Sequence, residues 1–238
     1  MIYTKQQIVG STQVGADANL STLGLFGMVE SAITEGMAAQ HIDGMTIKRV
    51  YNAFWVFTKN KVKVLGSAVW GDVLTVESFI SSKTAAKLYV DTAIKNSDGQ
   101  MVAYSRCEMC PLDAATGRIL RTSAVGVGEH IIAEPAQMEV NFDKLDCDSL
   151  PVVEQVEVRS TNIDFSRHAN NVEYLRFIFN TYSVEELLSR PIRELEVNYV
   201  SQSYENDFLS VHKSTTDVCD LFAITKSAQT VIKCKIVR

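Results

Sequence analysis

A seven-residue block in the first half of this chain recurs in the second half, and this repeat limits the chain to folds that use one structural unit twice. Residues 70–76 read WGDVLTV and residues 205–211 read ENDFLSV, so the two blocks align without gaps. Further upstream, Asp17 aligns with Asp164 at an offset that differs only by a loop-sized change. Similar blocks that recur in the same order are typical of a duplicated unit. We therefore expect two similar domains.

Each copy of the repeat predicts one helix and several antiparallel strands. Residues 73–80, 87–94 and 101–109 alternate polar residues with β-branched and aromatic ones, which is typical of half-buried strands. Residues 20–36 and 170–188 have apolar residues at helical spacing. A helix that is apolar on most of its faces must be enclosed, so the sheet is expected to curl around it. The sequence predicts an α+β tandem (double) hotdog fold, with two antiparallel sheets that each wrap around a long central helix.

The expected boundary between the domains lies in an irregular, acidic stretch. Pro135 and Pro151 flank residues with little regular period, as expected for an interdomain connection. We therefore predict an N-terminal domain at residues 1–135, a linker at residues 136–149 and a C-terminal domain at residues 150–238.

The composition excludes several classes of protein. Of the 238 residues, 46% are hydrophobic and 21% are charged, which indicates a packed globular chain. The net charge of −5 argues against a general nucleic-acid-binding protein. No apolar run approaches the roughly 20 residues that cross a bilayer, and the first ten residues lack the pattern of a secretory leader. We therefore expect a cytoplasmic protein.

The sequence motifs predict neither a metal nor any other cofactor. Five cysteines are an odd number for a disulfide framework. Cys107 and Cys110 form a CxxC pair, but no second pair and no nearby histidine completes a zinc site. The sequence also contains no P-loop, no GxGxxG and no GxSxG motif, so nucleotide-binding and serine-hydrolase functions lose their main support.

The start of the second predicted helix concentrates polar and ionisable side chains. One carboxylate, one imidazole and two carboxamides lie close together in the sequence: Asp164, His168, Asn170 and Asn171. Asn170 followed by Glu173 is typical of a capping box. Free N–H groups and the positive end of the helix dipole favour negative charge here, such as that on a thioester oxygen under attack. Alternatively, Asp164 and the asparagines only cap the helix and turn the chain.

Two features of the N-terminal domain each allow two interpretations. Gly24 and Gly27 interrupt the first helix at roughly 1 kcal/mol each relative to alanine. They either allow close packing or leave a groove in which an alkyl chain lies beside the helix. A set of lysines either meets an acidic partner protein or forms a solvated strand face; these are Lys59, Lys61, Lys63, Lys83, Lys87 and Lys95.

Residues 164–174 read DFSRHANNVEY. This segment resembles the D-x-N-x-H-x-N-N-x-x-Y motif of acyl-acyl carrier protein thioesterases, which are tandem hotdog proteins. Similar residues at 70–72, 75–77 and 98–99 extend the resemblance over nearly the whole chain. The resemblance implies hydrolysis of fatty acyl thioesters on acyl carrier protein, with release of free fatty acid, in fatty acid biosynthesis. It also implies an acyl-chain pocket in the N-terminal domain and roles for Asp164 and His168.

Two positions depart from the pattern of that family. The family's asparagine falls on Ser166, and the glutamate of its following strand falls on Gln202. Glutamine can hydrogen-bond a water molecule but cannot accept its proton near neutral pH. We therefore expect Asp164 to act as general base or nucleophile, His168 to orient or shuttle a proton, and helix amides near Asn170 to polarise the carbonyl. Strict alternation would turn Gln202 away from the site, unless the strand ends or bulges before it.

Two other functions remain open at this point. The spacing of aspartate, histidine and paired asparagines also occurs in single-domain acyl-CoA thioesterases, so an acyl-CoA thioesterase is one alternative. A non-catalytic acyl-thioester-binding protein is the other, if the changes at Ser166 and Gln202 have silenced the site. We expect no nucleic-acid or membrane partner, and the sequence leaves a monomer and a homodimer open.

Overall fold

The computed structural model of this protein describes residues 1–128, 131 and 134–238. The chain divides into two units, Met1–Asn141 and Phe142–Arg238. Each unit combines five antiparallel strands with two α-helices. None of the helices in the described ranges is long and apolar enough to cross a membrane.

The first unit contains a long helix followed by its longest strands. Its elements are β1 (Tyr3–Ile8), α1 (Thr22–Ala39), α2 (Gly44–Tyr51), β2 (Ala53–Val64), β3 (Val73–Lys83), β4 (Leu88–Lys95) and β5 (Met101–Asp113), with a 3₁₀ turn at Thr122–Val125. The strands lie in the order β1-β3-β4-β5-β2, and every neighbouring pair is antiparallel. The three predicted strands are confirmed as β3, β4 and β5.

Helix α1 supplies much of the apolar core of the first unit. Ser21 caps its N-terminus, because the Ser21 side chain accepts a hydrogen bond from the Gly24 N–H at 3.0 Å. The helix packs against β1, β3 and β4. Its residues without solvent exposure are Phe26, Val29, Ala32 and Ile33. The helix predicted at residues 20–36 is confirmed, and it continues to Ala39.

The second unit has shorter helices and the same kind of sheet. Its elements are β6 (Val152–Glu157), α3 (Asn171–Phe179), α4 (Val184–Ser189), β7 (Glu194–Tyr199), β8 (Phe208–Thr215), β9 (Cys219–Lys226) and β10 (Gln229–Val237), with a 3₁₀ turn at Ser160–Asn162. The strands lie in the order β7-β10-β9-β8-β6, again antiparallel throughout.

The prediction of one long helix at residues 170–188 is wrong, because α3 ends at Phe179 and α4 is a separate helix. Thr181 Oγ1 donates to the Ile178 carbonyl at 2.8 Å, which gives the chain an alternative to helical pairing at this turn. Ser183 and Glu186 then form a capping box, in which each side chain accepts from the backbone N–H of the other. A capping box marks the start of a new helix. The apolar spacing that predicted one long helix therefore runs across two separate helices.

The internal repeat predicted from the sequence is visible in the hydrogen bonds of the two units. The same side-chain-to-backbone bonds stabilise the same turns, at nearly the same lengths. The matching pairs are Gly10 N to Gln13 Oε1 at 2.9 Å and Arg159 N to Asn162 Oδ1 at 2.8 Å, and Val69 N to Asp72 Oδ2 at 2.8 Å and Tyr204 N to Asp207 Oδ2 at 2.7 Å. The alignment of Asp72 with Asp207 is therefore confirmed.

The alignment of Asp17 with Asp164 is wrong by two residues. In the first unit the Gly15 N–H donates to the Asn19 carbonyl at 2.8 Å, and in the second the Asp164 N–H donates to the His168 carbonyl at 3.0 Å. These equivalent loop bonds align Gly15 with Asp164 and Asn19 with His168. The two loops share the backbone turn but not the position of the carboxylate. An alignment based on the acidic residues is therefore shifted.

Residues of the predicted linker at 136–149 are bound to the sheets. In the first unit Tyr104 Oη accepts from the Gln137 N–H at 3.0 Å, and Arg106 Nη1 donates to the Val140 carbonyl at 3.0 Å. In the second unit the Asp143 N–H donates to the Glu196 carboxylate at 3.0 Å. These bonds order the connecting segment at both of its ends.

Candidate active site

The loop before α3 brings together three of the predicted site residues. Its turn is closed by the bond from Asp164 N to His168 O and by a 3.0 Å bond from Arg167 N to Asp164 O. Arg167 has a φ of 66°, in the left-handed region, and it is exposed at the tip of the turn. The loop therefore places the side chains of Asp164, Ser166 and His168 next to one another.

Ser166 connects the carboxylate to the imidazole. Asp164 Oδ1 accepts from the Ser166 N–H at 2.7 Å and from Ser166 Oγ at 2.5 Å. Ser166 Oγ also lies 3.1 Å from His168 Nδ1. An ionised carboxylate only accepts hydrogen bonds, and a hydroxyl has one proton to give. Ser166 therefore accepts from His168, so Nδ1 carries the proton of this hydrogen bond.

Helix α3 begins immediately after this loop. The Asn170 side chain accepts from the Val172 N–H at 2.8 Å, which confirms Asn170 as the N-cap, and Asn171 is the first helical residue. The predicted capping box is wrong, because Glu173 Oε2 accepts from Asn162 Nδ2 at 2.8 Å and the Asn170 N–H donates to the Asn162 carbonyl. Asn162 thus satisfies the groups that a capping box would pair.

The segment that contains Gln202 lies beside the same loop. Strand β7 ends at Tyr199, so Gln202 is past the end of the alternating pattern. The next residue, Ser203, accepts from the Ala169 N–H at 2.9 Å, and its N–H donates to Tyr174 Oη at 2.9 Å. These two bonds place the half-buried Gln202 next to the loop that carries the carboxylate and the imidazole.

Two groups beside the site were not selected from the sequence. Ser203 is fully buried, and its hydroxyl has no hydrogen-bond partner among the described residues. The ring of Tyr204 lies against the His168 imidazole, with 5.1 Å between the ring centroids. Ser203 and Tyr204 are the two residues after Gln202. The difference between Gln202 and the glutamate of the motif is the sequence signal that points to this segment.

The equivalent loop of the first unit lacks this chemistry. Gly15 occupies the position of Asp164, and Asn19 that of His168. The carboxylate of Asp17 accepts from the Asn19 backbone at 3.0 Å and from Asn19 Nδ2 at 2.8 Å, so it stabilises its own turn. Among the two copies, only the loop of the second unit joins a carboxylate to an imidazole.

The two glycines of α1 differ in their surroundings. A Cβ atom at Gly24 would lie 2.2 Å from the Gln13 carbonyl oxygen, whereas a Cβ atom at Gly27 would have nothing within 4 Å. Gly24 therefore serves close packing, and the expectation of a groove at this position is wrong. The open space beside Gly27 remains compatible with a groove.

Several of the lysines of the first unit pair with groups of the same unit or are buried in it. Lys87 pairs with Glu108 at 2.9 Å and Lys95 with Glu77 at 2.8 Å, while Lys61 is buried. Lys83 donates to the Gly128 carbonyl at 3.0 Å. Much of the positive charge expected for a carrier-protein surface is therefore neutralised or covered.

The CxxC cysteines lie on β5 as buried free thiols. Burial raises the pKa of both the Cys107 and the Cys110 thiol, so neither is a thiolate near neutral pH. No three histidine, cysteine, aspartate or glutamate side chains in the described ranges come together as a metal-binding group.

Comparison with known proteins finds a family model that matches the second unit. The family model of the acyl-acyl carrier protein thioesterase C-terminal domain matches residues 148–236, which contain every site residue of the second unit. The second unit of this chain is therefore similar to the C-terminal domain of acyl-acyl carrier protein thioesterases. Two curated members show how far the likeness extends. A palmitoyl-acyl carrier protein thioesterase of Gossypium hirsutum is 23% identical over 92% of this chain and 56% of its own length. An oleoyl-acyl carrier protein thioesterase of Arabidopsis thaliana is 18% identical over 90% of this chain and 64% of its own length.

Solved structures of the family share the fold. An acyl-acyl carrier protein thioesterase from Bacteroides thetaiotaomicron superposes with a TM-score of 0.91 at 18% identity, over 99% of this chain and 97% of its own. The 12:0-acyl carrier protein thioesterase of Umbellularia californica superposes with a TM-score of 0.89 at 16% identity, over 99% and 96% of the two chains. The fold of these two structures therefore extends over both units of this protein.

Proposed function

We propose that this protein hydrolyses fatty acyl thioesters on acyl carrier protein and releases free fatty acids. The observation that carries the proposal is the hydrogen-bonded array of Asp164, Ser166 and His168 before α3, within the part of the chain that matches the family model. The enzyme acts in cytoplasmic fatty acid biosynthesis and uses acyl carrier protein as its partner.

Each unit is a hotdog domain, and the two domains have different roles. The domain of residues 150–238 carries the chemistry, and the domain of residues 1–135 carries the acyl chain, with residues 136–149 as the connection. The open space beside Gly27 supports an alkyl groove along α1 in the first domain.

Asp164 activates the attacking water or attacks the carbonyl itself. Its Oδ1 is engaged twice by Ser166, whereas no donor in the described part of the chain contacts its Oδ2, so Oδ2 is the oxygen presented to substrate. As a base, it takes one proton from water while the hydroxide oxygen bonds to the thioester carbon. As a nucleophile, it forms an acyl anhydride that water then hydrolyses. In both routes the carbon–sulfur bond breaks and the sulfur leaves as a thiolate, which needs little acid because thiols have a pKa near 8.5.

His168 supports this step through Ser166. Its Nδ1–H donates to Ser166, and an imidazole held in this way can relay a proton during the reaction. Gln202 binds the water but does not take its proton. The departures from the family pattern at Ser166 and Gln202 are thus compatible with turnover.

The first turn of α3 stabilises the oxygen of the tetrahedral intermediate. The first N–H groups of a helix have no acceptor within it. Asn170 satisfies two of these donors, the N–H groups of Val172 and Glu173. We assign the Asn171 N–H, at the positive end of the helix, as the donor to the carbonyl oxygen.

A panel of acyl thioesters tests the proposal. Saturated acyl groups of several lengths are offered on acyl carrier protein and on CoA, and free thiol is measured with the wild type and with Asp164→Asn. Faster turnover on the carrier protein, lost in the variant, is expected. Turnover on CoA alone would indicate an acyl-CoA thioesterase, and tight acyl binding without thiol release would indicate a non-catalytic binding protein.

A further inference from the structure

A tyrosine beside the candidate site touches the imidazole directly. The ring planes of Tyr204 and His168 make an angle of 70° at a centroid separation of 5.1 Å, an edge-to-face arrangement that is favourable for aromatic pairs. The same imidazole places its Nδ1 3.1 Å from Ser166 Oγ. Two groups from different segments, Tyr204 and Ser166, therefore restrict its rotation.

Hydrogen bonds fix the backbone of Tyr204, while the residue is 49% exposed. Its N–H donates to Asp207 Oδ2 at 2.7 Å, and the Asp207 N–H returns a 3.1 Å bond to the Tyr204 carbonyl. Lys226 Nζ lies 2.9 Å from the same carboxylate and 5.3 Å from the centroid of the tyrosine ring. Burial by itself would raise the pKa of Asp207, but the Tyr204 N–H and the Lys226 ammonium outweigh burial and lower it. The supporting carboxylate thus stays ionised near neutral pH.

The first unit shows that the turn does not require an aromatic ring. The same turn occurs there, where the Val69 N–H donates to Asp72 Oδ2 at 2.8 Å. Val69 aligns with Tyr204, and Asn19 aligns with His168. Across the two copies, the aromatic ring is present where the imidazole is present and absent where the imidazole is absent. Backbone geometry therefore does not explain Tyr204.

We propose that Tyr204 is a positioning residue, which holds the His168 ring so that Nδ1 stays within hydrogen-bond distance of Ser166. The terminal torsion of histidine has broad minima, so the neighbouring ring narrows the range of orientations and favours those in which Nδ1 faces Ser166. The inference rests on the proposed function for its effect on turnover, but the orientation of His168 can be measured without substrate.

The experiment compares three variants of the full chain. Tyr204→Val introduces the residue of the first unit, Tyr204→Phe keeps the ring without its hydroxyl, and Val69→Ala is the matched control at the equivalent turn. Thermal unfolding checks that each variant folds. If Tyr204→Val does not fold, Tyr204→Leu is measured in its place. The kcat and KM are measured on an acyl thioester. The ¹⁵N shifts of the His168 imidazole, assigned with His168→Gln, report which nitrogen carries the proton.

We expect Tyr204→Val to lower kcat about tenfold with KM changed less than about twofold, since a misplaced catalytic group mainly affects the chemical step. Its His168 ¹⁵N shifts should move toward values averaged over both tautomers, whereas Tyr204→Phe and Val69→Ala match the wild type. Wild-type shifts and kcat in a folded Tyr204→Val protein would overturn the inference, and so would equal losses in the valine and phenylalanine variants. If the wild type cleaves no thioester, the proposed function fails while the ¹⁵N shifts still decide the role of Tyr204.

Discussion

Ser166 Oγ lies 3.1 Å from Nδ1 of His168, and this contact is what turns three separate polar residues into one array. Because Ser166 gives its only hydroxyl proton to Asp164, the imidazole proton must point at Ser166. Ser166, which stands where the motif that this segment resembles has an asparagine, therefore joins the carboxylate to the imidazole. Five measurements test the chemistry and the packing that follow from this geometry.

Asp164→Asn should reduce kcat by about 10³-fold or more, because the amide keeps the shape of the side chain but can neither accept a proton nor attack. Asp17→Asn is the matched control, since Asp17 lies in the equivalent loop of the first unit and bonds only within its own turn. Steady-state hydrolysis of an acyl thioester measures both. Full activity in Asp164→Asn would refute the site assignment.

Ser166→Ala should lower kcat about tenfold, because it removes the charge-assisted hydrogen bond from Ser166 Oγ to the Asp164 carboxylate, roughly 1.5 kcal/mol, and the contact of Ser166 with His168. Ser166→Asn restores a side chain able to bond to both groups and should keep most of the activity. The comparison uses kcat at saturating substrate. An alanine variant as active as the wild type would show that Ser166 does not connect Asp164 to His168.

His168→Ala should cost about 10²-fold in kcat, less than Asp164→Asn, in line with a supporting acid–base role. The profile of kcat against pH should also change, because the variant lacks the imidazole that exchanges protons in the proposed step. A loss as large as that of Asp164→Asn would make His168 the principal base.

Gln202→Glu should raise the rate or shift its pH optimum, because a carboxylate beside the His168 loop can take the proton that glutamine cannot. Gln202→Leu, which cannot bind water, should lower the rate. Rates measured over a range of pH separate these effects. An unchanged pH profile in Gln202→Glu would place the side chain outside the reaction.

The glycines of α1 should respond in opposite directions. Gly24→Ala should cost about 1–3 kcal/mol of unfolding free energy, because its Cβ would collide with the Gln13 backbone. Gly27→Ala meets no such contact and should gain up to about 1 kcal/mol from helix propensity. Urea unfolding measures both. If the space beside Gly27 holds the acyl chain, Gly27→Leu should also shift the preference to shorter chains, and an unchanged chain-length profile in a folded variant would contradict that role.

The sequence by itself determined the elements whose signals are local. The repeat of residues 70–76 and 205–211, helix α1 and strands β3 to β5 depend on patterns that the chain carries within a few turns or strand lengths. The family motif around Asp164 and His168 is equally local, and the N-cap at Asn170 follows from the residue type. These features were predictable because neighbouring residues alone specify them.

Only the tertiary structure decided which residues meet across the fold. The approach of Tyr204 to His168 depends on where β7 ends and on a backbone bond from Ala169 to Ser203, and no sequence spacing encodes that bond. Asp17 was misaligned for a related reason, since a carboxylate can stabilise a turn from more than one position. Apolar spacing also continued across α3 and α4, where a second cap interrupts the helix. Periodicity reports the face that a residue shares with its neighbours, whereas the closing of turns and the pairing of distant segments are decided by hydrogen bonds that form only when the chain is folded.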